Sequence, residues 1–390
     1  MASAIKYPMT PMAMPYASGH SLSDKRRSCD GATISSIGKI MNHLRGARRY
    51  FLPILTAVLA LSGCSSRTAP REVPDRPSGS PSATTRPSGS GLNKPKKIAD
   101  ADSPTSLAVD ADGKLYFTEL EGRLKILEPD GKTHTVAEFN VSTDGERGLL
   151  GLALHPKFPN PPYAYVFLSP GSNDSISEVR RFEIRDGRAG EMRTILKLPA
   201  GDDCCHKGGR VTFGPDEKLY VSVGDNQIPK ASQDRNDLRG KILRYNDDGS
   251  VPADGPFGEN PVWAIGLRNP FGMRFAPDGS LWVTDNGPSG NDGPSCCDEL
   301  NKIERGGNYG WPDRYGPNDS SSLWLSGKEP AVPTGVAVIA EGVAFCTYAW
   351  ERMLIYRDGS ITNGPEQCML DVTQGNDGVY FSSSTAIFKA

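Results

Sequence analysis

Apolar and polar residues alternate in short runs along most of this chain, and the runs are broken by Asp-Gly type turns. That period of two predicts half-buried β-strands joined in hairpins, and no sustained helical period competes with it. The segment from Pro104 to Thr118 holds one unit: a strand, the turn Asp110-Ala111-Asp112-Gly113, and a second β-rich strand. Further copies run over 209–221 and 271–284, and weaker ones start near Gly148, Glu341 and Leu370. A third strand often follows, as in Arg123–Leu127 or Lys241–Tyr245. Six such units at a spacing of roughly 49 residues predict an all-β, six-bladed β-propeller. A large β-sandwich is the competing architecture. In a propeller the inner strands converge on a central channel, and loops from several blades build a site at one mouth.

The N-terminal part lacks this alternation. Arg45, Arg48 and Arg49 precede a 12-residue apolar run from Tyr50 to Leu61, followed by Ser62-Gly63-Cys64. A basic flank, a short apolar core and small residues read as a secretory signal, too short to span a bilayer as a mature helix. Leu61-Ser62-Gly63-Cys64 resembles a bacterial lipobox, which implies cleavage before Cys64 and a lipid on its thiol. Residues 1–40 then read as an over-extended N-terminus, 41–63 as the lipoprotein signal peptide, and 64–97 as the lipidated cysteine with a Ser/Pro/Gly-rich tether. That tether has too few large apolar residues to offset its ordering entropy. The folded unit is 98–390. The expected location is the extracytoplasmic face, with membrane attachment through Cys64.

Composition agrees with a turn-rich β-protein, with 43 Gly and 32 Pro among 390 residues. A formal net charge of −2 without a basic patch argues against nucleic acid as a partner. Of the five histidines, His206 alone precedes a Gly-Gly pair, Gly208-Gly209, where backbone or ligand can approach closely. Imidazole is the side chain best suited to accept a proton near neutral pH. Read alone, His206 fits a structural hydrogen-bonded histidine, Asp225 a turn cap, Arg268 a salt bridge and Asn286-Gly287-Pro288 a tight turn. Their order along the chain changes that reading.

Four ordered motifs carry a resemblance over nearly all of 98–390. They are Gly148-Leu149-Leu150-Gly151-Leu152-Ala153-Leu154-His155-Pro156, then His206-Lys207-Gly208-Gly209-Arg210 with Gly224-Asp225, then Leu267-Arg268-Asn269-Pro270. The fourth is Asn286-Gly287-Pro288 with Asp298-Glu299-Leu300-Asn301 and Gly306-Gly307-Asn308-Tyr309-Gly310-Trp311-Pro312. The chain resembles the glucose/sorbosone dehydrogenase family, soluble quinoproteins that use pyrroloquinoline quinone (PQQ) and calcium. The resemblance implies oxidation of an aldose at its anomeric carbon to the lactone, with electrons passed to an unidentified acceptor. His206 would be the general base, Asp225 would hold its imidazole or line the pocket, and Arg268 and Asn269 would face the quinone. Backbone carbonyls of Gly287 and Pro288 would hold calcium beside it, and Glu299 and Tyr309 match a second, structural calcium position. Glu146 falls where relatives carry a polar pocket residue in contact with the sugar.

The sequence departs from the family in two places. Relatives grip the quinone carboxylates with a lysine in the fifth blade and an arginine pair before the last. Here the corresponding stretch from Phe345 to Tyr356 is compressed, and Cys368-Met369-Leu370-Asp371 contains no arginine. Arg352 and Arg357 are the cations nearest in sequence. The second departure is the cysteines. Beyond Cys29 and Cys64 there are Cys204, Cys205, Cys296, Cys297, Cys346 and Cys368. In an exported domain these favour disulfides, and sequence does not choose among the pairings. A cross-link between the His206 and Asn286 loops is one expectation, and a four-thiolate metal site another. For the whole protein, a calcium-dependent lactonase and a non-catalytic glycan- or protein-binding propeller stand as rival functions.

Overall fold

The computed structural model describes residues 91–201, 203–316, 322–327 and 329–390. The signal, lipidation site and most of the tether read from sequence lie outside these residues. Six antiparallel sheets follow one another, over 104–138, 149–199, 208–265, 270–325, 333–366 and 372–389. We number them blades 1 to 6. Each has four strands except blade 2, which carries a short fifth. The fourth strand of blade 6 is Lys96–Asp100, which pairs with Ala386–Lys389 and begins two residues before the expected domain start. The one helical element among the described residues is the 3-10 turn Pro229–Gln233.

The inner strands are Pro104–Val109, Leu149–Leu154, Gly208–Phe213, Pro270–Phe275, Pro333–Ile339 and Val372–Gly375. Each packs against the next, and the last against the first, so the ring is closed. Glycines let neighbouring inner strands approach. A Cβ on Gly151 would lie 2.3 Å from the Gly209 carbonyl oxygen, and one on Gly272 would lie 2.0 Å from that of Thr334. Between blades the space is filled by apolar side chains, as where Tyr165 and Phe167 of blade 2 meet Val211 and Val221 of blade 3. The repeats read from sequence coincide with blades, with one exception. The copy starting near Glu341 falls on the second strand of blade 5, Gly342–Thr347, because the inner strand, Pro333–Ile339, has no turn of the Asp-Gly type after it.

One side chain ties several blades together across the channel. Arg210, on the inner strand of blade 3, is buried and its guanidinium donates to the carbonyls of Thr105 in blade 1, Leu150 in blade 2 (3.0 Å) and Leu370 before blade 6 (3.1 Å). It lies 3.5 Å from the Asp371 carboxylate and over the Phe271 ring of blade 4. Asp371 in turn accepts from the Leu107 backbone N–H at 2.7 Å. The arginine of the His-x-x-Gly-Arg motif is therefore structural. Arg210→Met should lower stability by about 3–5 kcal/mol, because it strands a buried carboxylate and three carbonyls. Thermal unfolding measures this, and Arg210→Lys should recover only part, since an ammonium lacks the planar fork.

Candidate functional site

In each blade the start of the inner strand and the link between the second and third strands share one end of the sheet. Those links are long in blade 2 (169–175), blade 3 (224–240) and blade 4 (286–298), and short in blade 1 (120–122), blade 5 (348–351) and blade 6 (383–385). The site forms where the long links meet, above blades 3 and 4.

His206 precedes the inner strand of blade 3 with φ of 59°, in the left-handed region. Its backbone N–H donates to Glu146 Oε2 at 2.8 Å, and its Nδ1 lies 2.7 Å from Asp225 Oδ1. Asp225 is fully buried, and its Oδ2 accepts from the Trp311 indole at 2.8 Å. The Gln227 N–H donates to Oδ1 at 2.8 Å, and the Asp225 N–H to the Arg268 carbonyl at 2.7 Å. A carboxylate so fixed assigns the proton to Nδ1 and leaves the Nε2 lone pair as acceptor. No described group bonds Nε2.

Arg268 and Asn269 are set by a second buried carboxylate, which the sequence reading missed. Asp285, at the end of blade 4's second strand, accepts from the Arg268 N–H at 2.9 Å and the Asn269 N–H at 2.6 Å. Burial pushes its carboxyl up to about 8, and Glu299, its cross-strand neighbour, adds to the rise. Asn269 spans blades: its Nδ2 donates to Glu146 Oε2 at 3.1 Å and its Oδ1 accepts from the Gly208 N–H at 3.0 Å. Glu146 Oε2 thus serves as a brace between blades 2, 3 and 4. The Arg268 side chain is 4% exposed. Its Nε donates to Asp292 at 2.7 Å, and its terminal nitrogens to the Asn286 carbonyl at 2.9 Å and the Ser289 hydroxyl at 3.4 Å. Burial would raise the Asp292 carboxyl, but Arg268 reverses this and holds it below the usual carboxylate range.

Gly287, Pro288, Glu299 and Tyr309 come together around one small cavity, with Arg268, Asp285 and Trp311. The Asn286 side-chain oxygen on its wall is buried without a hydrogen-bond partner. The Gly287 N–H donates to Asp298 at 3.0 Å, and the Pro288 carbonyl accepts from the Cys296 N–H at 3.2 Å. Glu299 accepts from Asn301 and Gly316, and the Tyr309 hydroxyl is turned to the Lys302 carbonyl at 2.7 Å. Among the described residues, no group of three or more His, Cys, Asp or Glu side chains is arranged to hold a metal ion. Metal binding here would fall to backbone and amide oxygens joined by single carboxylates.

The cysteines correct two expectations. Disulfides join Cys204 to Cys205, Cys296 to Cys297, and Cys346 to Cys368. The two Cys-Cys pairs therefore close on themselves, so they neither cross-link the His206 and Asn286 loops nor offer thiolates to a metal. The two nearest cations are engaged within blade 5 itself. Arg352 pairs with Glu366 on the outermost strand of blade 5, and Arg357 reaches the Ala340 carbonyl at the far end of the sheet. Two cations the sequence did not mark secure the loop before His206. Arg147 donates to the carbonyls of Gly201 (3.1 Å) and Asp203 (2.9 Å), and buried Lys207 to those of Ala200 and Asp203. Burial, with Arg147 adding, pulls the Lys207 ammonium down to about 8.

Residues 101–331 match the family model described as Glucose / Sorbosone dehydrogenase. A curated relative, quinoprotein glucose dehydrogenase B of Acinetobacter calcoaceticus, is 31% identical over 298 residues, 67% of this chain and 61% of its own length. The matched part thus covers less than two thirds of that relative. A solved structure titled as a putative oxidoreductase (glucose dehydrogenase) from Thermus thermophilus superposes with a TM-score of 0.69 at 29% identity, covering 76% of this chain and 99% of that one. The PQQ-bound aldose sugar dehydrogenase of Streptomyces coelicolor gives 0.68 at 26% identity, covering 75% and 96%.

Lys207 generates a pH prediction. Its folded value of about 8 lies below the ordinary 10.5, so between these values the unfolded chain holds a proton that the folded chain releases. Stability contributed through this group therefore rises with pH across that window, and its burial penalty is complete below about pH 8. The unfolding midpoint should rise less between pH 8 and 10 in Lys207→Met than in the parent. Part of the rise should remain, because Lys241, buried on the carbonyls of Ala231, Ser232 and Arg239, is also lowered to about 8.

Proposed function

This chain belongs to the glucose/sorbosone dehydrogenase family, and from that premise we propose that it is an exported, lipid-anchored oxidoreductase oxidising an aldose at its anomeric carbon to the lactone. The observation that carries the proposal is the Trp311–Asp225–His206 relay, with Nε2 left as acceptor and the Arg268 guanidinium over the Trp311 ring. Export and anchoring rest on the signal-like run and Cys64.

The residues present fit a quinone and a divalent cation on one side of the mouth. The unpartnered Asn286 oxygen, with Asp285 and Glu299 in the same cavity, suits a hard cation that prefers oxygen. Arg268 and Asn269 would hold the quinone oxygens, and Gly287 and Pro288 would present carbonyls to calcium. When bound, the quinone supplies the hydride acceptor and the ion a Lewis acid beside it. On the opposite side, 347–351, 368–371 and 383–385 contain no Lys or Arg, so these links would offer a quinone's carboxylates no cation, and Arg352, the next residue, is paired with Glu366. Each missing charge-assisted contact costs about 1.5–3 kcal/mol of binding.

The chain's own residues would act as follows. His206 Nε2 accepts the proton of the anomeric hydroxyl. Asp225 keeps the imidazole in the tautomer that permits this and stabilises the imidazolium that results. Trp311 prevents Asp225 from turning to water. Glu146 and Asn269 keep the His206 turn in register with Arg268. A positioned general base contributes about 10²–10⁴-fold in rate.

The test is to titrate the purified full chain, with calcium, with PQQ, and then to add a panel of aldoses while following quinone absorbance. Sugar-dependent reduction is expected. His206→Ala should abolish it without loss of quinone binding, and Asp225→Asn should slow it by about 10²-fold or more. Absence of quinone binding at micromolar concentration would reject the dehydrogenase reading and leave the lactonase and binding-module alternatives.

A further inference from the structure

Every nitrogen of the Arg268 guanidinium is engaged, so the cation assigned to the ligand has a resident partner. Two of its three contacts, to Asp292 and to the Ser289 hydroxyl, come from one loop, 289–295. The loop is closed at its neck, where the Cys296 N–H donates to the Pro288 carbonyl at 3.2 Å. Below the neck the chain is immobilised. A Cβ on Gly287 would lie 2.4 Å from the Cys296 carbonyl oxygen and 2.5 Å from that of Cys297. Cys296 and Cys297 are joined to each other, and Asp298 accepts from the N–H groups of Gly287, Ala331 and Val332. The third partner of Arg268, the Asn286 carbonyl, belongs to this fixed part.

Above the neck the loop is held less firmly. Gly290 has φ of 97° and open space around it, and within the loop the Ser289 N–H donates to Asp292 at 3.2 Å. The Asp292 side chain is 20% exposed against 4% for Arg268, so water reaches the carboxylate more readily than the cation. The cavity beneath has a volume of ≈ 10 Å³, the room of about one water molecule. Two of the five guanidinium N–H groups are not used by these contacts, but a side chain 4% exposed is reached only by moving a partner aside. The partners open to solvent, exposed Ser289 and part-buried Asp292, both belong to the loop, and Asp292 alone carries charge.

We propose that Asp292 is a built-in counter-anion for Arg268, and that loop 289–295 is a latch which a ligand opens by placing an oxygen that carries or gains negative charge where the Asp292 carboxylate stood. This rests on the assignment of Arg268 to the quinone. Binding is then an exchange of one charge-assisted contact for another, so only ligands carrying negative charge, or a quinone oxygen gaining it, open the loop without net loss. Neutral sugars alone leave the latch closed.

The experiment compares the full chain with Asp292→Asn, which keeps the side-chain shape and removes the charge, and with Asp292→Ser as a second variant. Thermal unfolding verifies that each is folded. Two readouts are taken: amide hydrogen exchange of 289–295 without ligand, and PQQ affinity in calcium buffer by titration. The proposal expects faster exchange confined to the loop and roughly ten- to a hundredfold tighter quinone binding in both variants. Unchanged exchange would overturn the latch whatever the quinone does, and unchanged or weaker affinity with quinone bound would make Asp292 a ligand contact instead. If no variant binds quinone, the assignment of Arg268 fails, whereas the exchange result still decides whether Asp292 holds the loop.

Discussion

A closed ring of six sheets leaves a hole in the middle, and the polar backbone lining it must find partners away from bulk water. Here Arg210 meets that constraint. One planar cation gathers carbonyls from blades 1 and 2 and from the entry to blade 6, with Asp371 balancing its charge. Because the cation sits at the axis, it couples blades that share no sheet. The glycines at Gly151 and Gly272 allow neighbouring inner strands to come close, within the reach of one side chain for several blades.

The site is then a matter of which links are long. Three consecutive blades send extended links to the same mouth, and the backbone gathered there is held by buried groups of opposite character. Carboxylates, Asp225, Asp285 and Asp298, collect backbone N–H groups, while Lys207, Arg147 and Lys241 collect carbonyls. Loops normally sit at the surface because their backbone is hard to satisfy indoors. Here buried acidic and basic side chains do that work, and His206 keeps a left-handed backbone and a ring fixed by Asp225.

Much of this was legible in the sequence, because blade repeats and strand periodicity are local. The alternation around Pro104–Thr118 and its copies gave the architecture, and the ordered motifs brought His206, Asp225, Arg268 and Asn269 to one place. Asp285 was missed although a signal existed. Glu119 ends the second strand of blade 1 and accepts the Asp102 N–H, as Asp285 does for Arg268 and Asn269. Aligning the repeats past their turns would have exposed the shared position. The disulfide pairing was not legible, since the spacing of the cysteines along the chain does not choose among their possible pairings. Nor was the partner of Arg268, because Asp292 lies 24 residues away on a loop with no periodic pattern.

Blade 6 joins Lys96–Asp100 to Ala386–Lys389. The strand made before all the others therefore waits for the strand made after them, and no ring exists until both are present. Five blades can acquire hairpins as they emerge, but Arg210 has its full set of partners only once the circle shuts. Once shut, a pull on the chain just before Lys96 loads the same seam that completed the fold, so the entry to the propeller and its point of closure are mechanically one.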